Sequence, residues 1–213
     1  MDDLVAGVVG KLGTQGVLSN TYIVFTSDNG WHHGEHRIRS GKGRPYEEDT
    51  RVPLLVRGPG VAAGSSANKL VLNTDYLPTF TDLAGAQTPS YVDGRSLLPV
   101  LTGSATTSWR TAILIEGRKY SADPEIPVEI NYNAIRTSTS KYIEYEGDFR
   151  ELYDLTPGAD PYELTNTYSS ADPTVPPRPE LKARLDALKG CQPQDDPTTP
   201  EVETPCQTVE DTP

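Results

Sequence analysis

The sequence predicts an α/β fold in which part of a sheet is flanked by helices and is followed by a small C-terminal antiparallel sheet with a helix. Three observations carry this. Two continuous β-rich runs, Thr21 to Thr26 and Val52 to Arg57, alternate with segments of helical periodicity in the first half of the chain. After Trp109, short β-rich segments follow one another, the last three separated by hairpin-type turns. Nineteen Pro and eighteen Gly among 213 residues demand many turns and exclude a helical bundle or coiled coil.

The elements read as follows. Leu4, Val5, Val8, Val9 and Leu12 recur at helical spacing, and Gly13 and Gly16 stop the helix. Thr21 to Thr26 reads as a buried strand, with Ser27-Asp28-Asn29-Gly30 at its C-terminal edge, where open α/β sheets bind ligands. Trp31 to Thr50 shows no clear periodicity but dense chemistry, and reads as a functional loop. Val52 to Arg57 is a second buried strand, stopped by Gly58-Pro59-Gly60. Thr74 opens a helix that runs to Gly85, and Asp93 to Leu101 forms a turn and a short helix. Thr111 to Glu116, Asn131 to Ser138, Lys141 to Tyr145 and Glu151 to Asp154 make the small sheet. Leu181, Leu185 and Leu188 give a final helix an apolar face to cover it. Residues 1–108 are thus expected to form the α/β portion and 109–190 the sheet-plus-helix subdomain. Residues 191–213 are expected to be an acidic disordered tail, because Pro, Thr and acids there leave little to bury.

The net charge is −11, and six of the acids lie in Cys191 to Pro213, which hold no Lys or Arg. A chain of this balance lacks the clustered cations that phosphate backbones require, so nucleic acid is not an expected partner. No apolar run approaches the roughly 20 residues of a membrane span. Met1-Asp2-Asp3 lacks the basic-then-apolar layout of a signal peptide. The two cysteines, Cys191 and Cys206, are either one bridge in an exported protein or two free thiols, and nothing before Cys191 separates these.

Four sets of residues carry chemistry. Asp28 and Asn29 present side-chain oxygens at a strand end and suit a hard cation, but two ligands fall short of the six to eight that Ca²⁺ takes, and the same residues make an ordinary turn. Lys42 stands between Gly41 and Gly43, which lets its ammonium approach a sulfate or phosphate closely; a solvated loop lysine is the alternative. His32, His33 and His36 are the chain's three histidines, packed into five positions, and could serve as metal ligands, acid–base groups or anion contacts. His32-His33 is not a zinc spacing, and no Cys is near. Glu47-Glu48-Asp49 reads as a salt-bridged stretch, with Arg51, Arg57 and Arg95 as its partners.

Together, Thr26-Ser27-Asp28-Asn29-Gly30, Gly34-Glu35-His36, Gly41-Lys42-Gly43, Tyr46-Glu47, Arg51-Val52-Pro53-Leu54 and Gly58-Pro59-Gly60 form one ordered set that resembles the second half of the sulfatase family, in the alkaline-phosphatase-like superfamily. Downstream, Asp75-Tyr76-Leu77-Pro78-Thr79, Leu83-Ala84-Gly85, Asp93-Gly94-Arg95-Ser96-Leu97, Glu151-Leu152-Tyr153-Asp154-Leu155 and Asp160-Pro161-Tyr162-Glu163-Leu164 agree. The likeness runs from about Asp3 to Leu188 and is nearest the arylsulfatase and N-acetylglucosamine-6-sulfatase branch.

The resemblance implies an alkaline-phosphatase-like sheet, the C-terminal portion of a catalytic domain in residues 1–108, and hydrolysis of sulfate esters of aryl compounds or carbohydrates. It implies that Asp28 and Asn29 ligate a divalent ion, Ca²⁺ with Mg²⁺ as the alternative. Lys42 becomes the catalytic contact to the sulfate, His33 a contact to the substrate, and His36 a structural residue. It also implies a formylglycine made from a Cys-x-Pro-x-Arg or Ser-x-Pro-x-Arg motif, and no such motif stands in this sequence. The early Asp-Asp metal ligands are missing as well, so the chain looks like a C-terminal piece whose N-terminal half is a truncated segment or a separate chain. Secretion or the cell envelope is favoured for the full-length relative. A phosphodiesterase or phosphonate hydrolase of the same superfamily is the second reading, although that branch tends to carry Asp-His where this chain has Asp28-Asn29. A non-catalytic anion- or glycan-binding remnant is the third.

Overall fold

The structure is a computed structural model and describes residues 1–89, 91–104, 108–117, 131–168, 179–191 and 206–211. It opens with α1 (Asp2–Thr14), which has Asp2 and Asp3 in its first turn and Lys11 in its last, the arrangement the helix dipole favours. No α1 residue is buried, and Leu4 and Val8 are 66% and 49% exposed, so the apolar stripe read from the sequence lies open.

β1 (Ile23–Thr26) and β2 (Leu54–Arg57) form an antiparallel ribbon in which Ile23 faces Arg57 and Thr26 faces Leu54. Both were expected to be buried strands. Instead β1 is half-buried along its length, and β2 alternates between half-buried and exposed positions, with Leu55 60% exposed. The reason is geometric: among the described residues each strand has one neighbour, and a two-stranded ribbon cannot enclose both of its faces. A short helix, α2 (Glu47–Thr50), lies within the segment expected to be a loop, and α3 (Tyr76–Leu83) and α4 (Leu98–Leu101) follow β2.

The second sheet is a four-stranded meander of β3 (Ala112–Gly117), β4 (Tyr132–Thr137), β5 (Ser140–Tyr145) and β6 (Arg150–Asp154), all antiparallel. Every residue of β5 is buried, because this sheet is covered on both faces. On one face Ala112, Ile135, Tyr142 and Leu152 meet Leu181, Leu185 and Leu188 of α5 (Pro179–Gly190), as the spacing in the sequence predicts. On the other, Tyr132, Ala134, Ile143, Tyr145 and Tyr153 meet Tyr46, which comes from the segment just before α2.

Buried charge ties the two parts together. Lys141 on β5 is fully buried, and its Nζ lies 2.9 Å from Glu47 Oε1 and 2.7 Å from Glu163 Oε1, while donating to the Pro45 carbonyl at 2.8 Å. Arg136 on β4 adds a second cation 3.2 Å from Glu47. Asp75, also fully buried, accepts both Arg110 Nη atoms and the backbone N–H groups of Leu72 and Arg95.

The disordered-tail expectation is corrected at its far end. Cys191 and Cys206 are bonded to each other, and residues Cys206–Asp211 form a helix, α6. Glu210 in α6 accepts from Arg110 Nε and Arg95 Nη2, each at 3.0 Å, and its carbonyl accepts the Thr111 N–H at 2.8 Å. A helix tied covalently and paired with two guanidiniums is held whatever its composition. Residues 192–205 of the expected tail lie outside the described residues. Arg95 therefore pairs with α6, and Arg57 donates to the Leu18 carbonyl; of the three arginines expected to pair with Glu47 to Asp49, Arg51 approaches Glu47, at 4.0 Å.

Two predictions follow from the buried charges. Arg110→Ala leaves the Asp75 carboxylate enclosed without its main counter-charge, and urea unfolding should report a loss of about 3–5 kcal/mol. Burial pushes Glu47 upward, but Lys141 and Arg136 more than reverse this and hold it at about 2 against an ordinary 4.5. A folded-state value below the unfolded one means stability that is full above about pH 4.5 and is lost as the pH falls toward 2, at most about 3 kcal/mol. Burial raises Glu163 despite Lys141, so its protonation adds stability in a separate window above about pH 4.5 and leaves the Glu47 limb below it unchanged. Glu47→Gln should accordingly flatten the acid limb of a stability–pH profile measured by urea titration; an unchanged limb would exclude Glu47 as its source.

Candidate functional site

The residues after β1 fold back on themselves through local hydrogen bonds. Asp28 Oδ1 accepts the Asn29 N–H at 2.9 Å, Ser27 Oγ donates to the Asn29 carbonyl at 2.8 Å, and Asn73 Nδ2 holds the Asp28 carbonyl at 2.8 Å. This is the turn chemistry foreseen for Ser-Asp-Asn-Gly. The turn also brings the proposed ligands to one place: Asp28 is exposed, Asn29 is half-buried, and Lys42 Nζ donates to Asn29 Oδ1 at 2.9 Å across thirteen positions of sequence. The turn must be a glycine at Gly30, whose N–H donates to the Asp49 carbonyl at 2.8 Å; a Cβ there would run into the Glu48 carbonyl oxygen.

Lys42 is placed by its flanks. Upstream, His32 and Gly41 exchange both backbone hydrogen bonds, N–H to carbonyl at 2.7 and 3.2 Å. Downstream, Gly43 takes φ 95°, a conformation that a side chain would oppose. Asp49, 6% exposed, spans the two ends: one carboxylate oxygen meets His32 Nδ1 and the other accepts the Arg44 N–H, both at 2.5 Å. The segment carrying Lys42 is thus closed by one acid in α2. Beneath it Tyr46 anchors the chain to the second sheet, its OH donating to Glu151 at 3.1 Å. Burial, and then the Glu151 charge, push the Tyr46 hydroxyl up to about 12, so it stays a neutral donor.

The histidines separate. His33 is exposed, and the hydrogen bond at this residue runs from its backbone N–H to Glu35 Oε2, so its side chain is not joined to Lys42, Asn29 or Asp28. His32 is fully buried, and His36 stacks on Tyr46 with ring centroids 4.0 Å apart and planes 10° from parallel. His36 Nε2 lies 3.3 Å from Glu48 Oε2 and His32 Nε2 lies 3.9 Å from the same oxygen. Spacing gave no reason to join His32 to Asp49 or His36 to Glu48, because both pairs meet across the irregular loop. The one available signal was that acids follow the histidines after a Gly-rich stretch able to fold back.

The donor chemistry of Asp28 and Asn29 fits a hard cation, since both offer oxygens, but two side chains make only part of a six- to eight-oxygen shell. Lys42 adds positive charge beside them, the requirement for a bound anion. Both cysteines are used in the bridge to each other, so neither is a free thiol.

Comparison with known proteins places the chain in a family. Residues 34–190 match the family model described as N-sulphoglucosamine sulphohydrolase, C-terminal. The N-acetylglucosamine-6-sulfatase of Bos taurus is 37% identical over 220 aligned positions, which cover 90% of this chain and 38% of that protein. The solved structure of BT4656 in complex with its substrate D-glucosamine-2-N,6-O-disulfate superposes with a TM-score of 0.77 at 34% identity, covering 88% of this chain and 38% of that one. The phosphonate monoester hydrolase of Agrobacterium radiobacter gives 0.67 at 31% identity, over 78% of this chain and 34% of that one. The chain therefore spans under two-fifths of the length of these relatives. With more than half of its residues inside the matched region, this chain belongs to the sulfatase family of the alkaline-phosphatase-like superfamily.

Proposed function

We propose that the chain supplies the cation- and sulfuryl-binding part of a sulfuric ester hydrolase that acts on aryl or carbohydrate sulfate esters. The observation that carries this reading is the 2.9 Å contact of Lys42 Nζ with Asn29 Oδ1, beside the exposed Asp28 carboxylate. An ammonium has three donors, and the bond to Asn29 uses one, which leaves the others for sulfate oxygens. Asp28 and Asn29 would hold Ca²⁺ together with oxygens from outside this chain. A bound cation and a formylglycine would supply polarisation of the ester and the attacking oxygen respectively. Within this chain, Lys42 neutralises charge on the sulfuryl group, Asn29 fixes the ammonium, and Asp49 holds the Lys42 segment still. His33 is exposed nearby in sequence and is retained as a contact to the part of the substrate beyond the sulfate.

The names of the relatives favour a sulfated amino sugar as substrate. The phosphonate hydrolase neighbour keeps the second reading in view, since the same cation-plus-lysine arrangement also suits a phosphonate oxygen. The residues 1–108 and 109–190 would then act as a site-bearing portion and the platform beneath it.

The sequence holds no Cys-x-Pro-x-Arg or Ser-x-Pro-x-Arg motif, so the purified 213-residue chain should not hydrolyse an aryl sulfate. In Ca²⁺ it should bind a sulfated glucosamine in titration calorimetry, and Lys42→Ala should weaken that binding about tenfold or more, the worth of one hydrogen bond to a charged group. Metal-dependent turnover by this chain, abolished by Lys42→Ala, would contradict the missing nucleophile. Binding indifferent to Lys42→Ala would remove Lys42 from the site.

A further inference from the structure

Beside the Asp28–Asn29–Lys42 group, a second set of polar atoms converges under the same loop and has no role in the reading above. His32 Nε2, His36 Nε2 and Glu48 Oε2 are all buried without a hydrogen-bond partner. One ligand-type atom from each of the three residues lies within 4.8 Å of those of the other two. The His32 and His36 side chains are 0% and 9% exposed, and Glu48 is 21% exposed. Buried polar atoms left unpaired cost about 1–3 kcal/mol each, and three of them aimed at one point call for a common partner.

We infer that His32, His36 and Glu48 are the protein ligands of a divalent transition-metal site, of the kind that takes Zn²⁺. Two imidazole nitrogens and one carboxylate oxygen form a donor set suited to Zn²⁺ or Co²⁺, and unlike the all-oxygen shell of Ca²⁺ or Mg²⁺. With metal–ligand bonds of about 2.0–2.1 Å, tetrahedral donors stand roughly 3.4 Å apart. The Glu48 distances, 3.3 Å to His36 Nε2 and 3.9 Å to His32 Nε2, bracket that value.

The surroundings are those of a built site. Asp49 Oδ1 takes the Nδ1–H of His32 at 2.5 Å, which sets the tautomer that leaves Nε2 with its lone pair free, the carboxylate–histidine arrangement found behind metal-bound imidazoles. His36 sits in the left-handed region, φ 55° and ψ 17°, with its ring stacked on Tyr46 and its Nε2 3.3 Å from Glu48 Oε2. A non-glycine residue kept there needs compensation of about 1–3 kcal/mol, which a metal bond can provide. A protonated His36 paired with Glu48 is the competing account. It leaves His32 Nε2 without a partner, whereas one cation satisfies all three atoms.

Such an ion would join the loop to α2 at two points. His32 is one of them, and its backbone pairs with Gly41, the neighbour of Lys42. The site is independent of whether a sulfate ester is the substrate.

The test is metal uptake by the full 213-residue chain after chelator treatment and dialysis. One equivalent of Zn²⁺ should bind, and Co²⁺ in its place should show the visible absorption of a four-coordinate N/O site. Zn²⁺ should raise the midpoint of thermal unfolding. His36→Phe keeps a ring stacked on Tyr46 but removes the donor, and Glu48→Gln removes the charged oxygen; each should weaken Zn²⁺ binding at least about 100-fold. Asp49→Asn should weaken it about 10- to 100-fold through His32. Asp28→Ala should leave it unchanged, which keeps this site distinct from the oxygen pair. Absence of Zn²⁺ uptake by the unsubstituted chain would overturn the assignment whatever the variants do. So would full uptake by both folded variants, judged by far-UV circular dichroism, or loss of uptake in Asp28→Ala alone.

Discussion

A single buried carboxylate sets the geometry on which the candidate site depends. Asp49 has both oxygens committed, one to His32 and one to the Arg44 N–H, and its own carbonyl receives Gly30. Those three contacts reach the segment before the loop, the loop's first turn and its return. An irregular stretch of some twenty residues has too little internal hydrogen bonding to hold one shape, so an enclosed acid with several donors around it takes over the role that a strand ladder plays elsewhere. The Lys42 ammonium reaches Asn29 because the chain on either side of it is fixed to the same side chain.

That acid stands on α2, and α2 is fixed in turn by the meander. Lys141, Arg136 and Glu163 surround Glu47, while Tyr46 sits among Tyr132, Tyr145 and Tyr153 with its hydroxyl on Glu151. Enclosed ions contribute little net stability when compared with well-packed apolar groups, but they tolerate few alternative arrangements. Here they fix how the loop sits on the sheet. The aromatic face of the meander, through Tyr46, is therefore what the segment before α2 rests on.

Strands and helices of the second half were legible because periodicity and burial agree there: Leu181, Leu185 and Leu188 do pack on the sheet, and turns do separate the strands at Glu146–Gly147–Asp148 and at Ser138-Thr139-Ser140, although Ser140 already belongs to β5. The first ribbon was overestimated. Ile23-Val24-Phe25 and Leu54-Leu55-Val56 have the composition of enclosed strands, but composition reports what a strand can bury and not what is available to cover it. Of the site, Asp28, Asn29 and Lys42 were readable as residue types, and their convergence follows from a turn and two glycines. His32, His36, Glu48 and Asp49 were not, since their pairing rests on the path of an aperiodic segment and on a left-handed backbone at His36 that no spacing rule anticipates. The helix at Cys206–Asp211 escaped for a different reason: a covalent cross-link and two arginines far away in sequence hold it, and neither shows in local composition.

The Cys191–Cys206 bond makes that last helix a latch whose state depends on the compartment. Outside the cell, or in a periplasm, the cross-link holds Glu210 and Asp211 against Arg95 and Arg110, and through Arg110 against the acid that organises residues 72 to 95. In a glutathione-buffered cytosol the thiols separate, and the helix keeps the Arg110 and Arg95 ion pairs, the Thr111 hydrogen bonds to the Glu210 carbonyl and the packing of Val209, of which salt screens the outer ion pairs. The segment from 72 to 95 would then loosen, and with it Asn73, which holds the Asp28 carbonyl, so the same polypeptide would differ in protease sensitivity between the two environments.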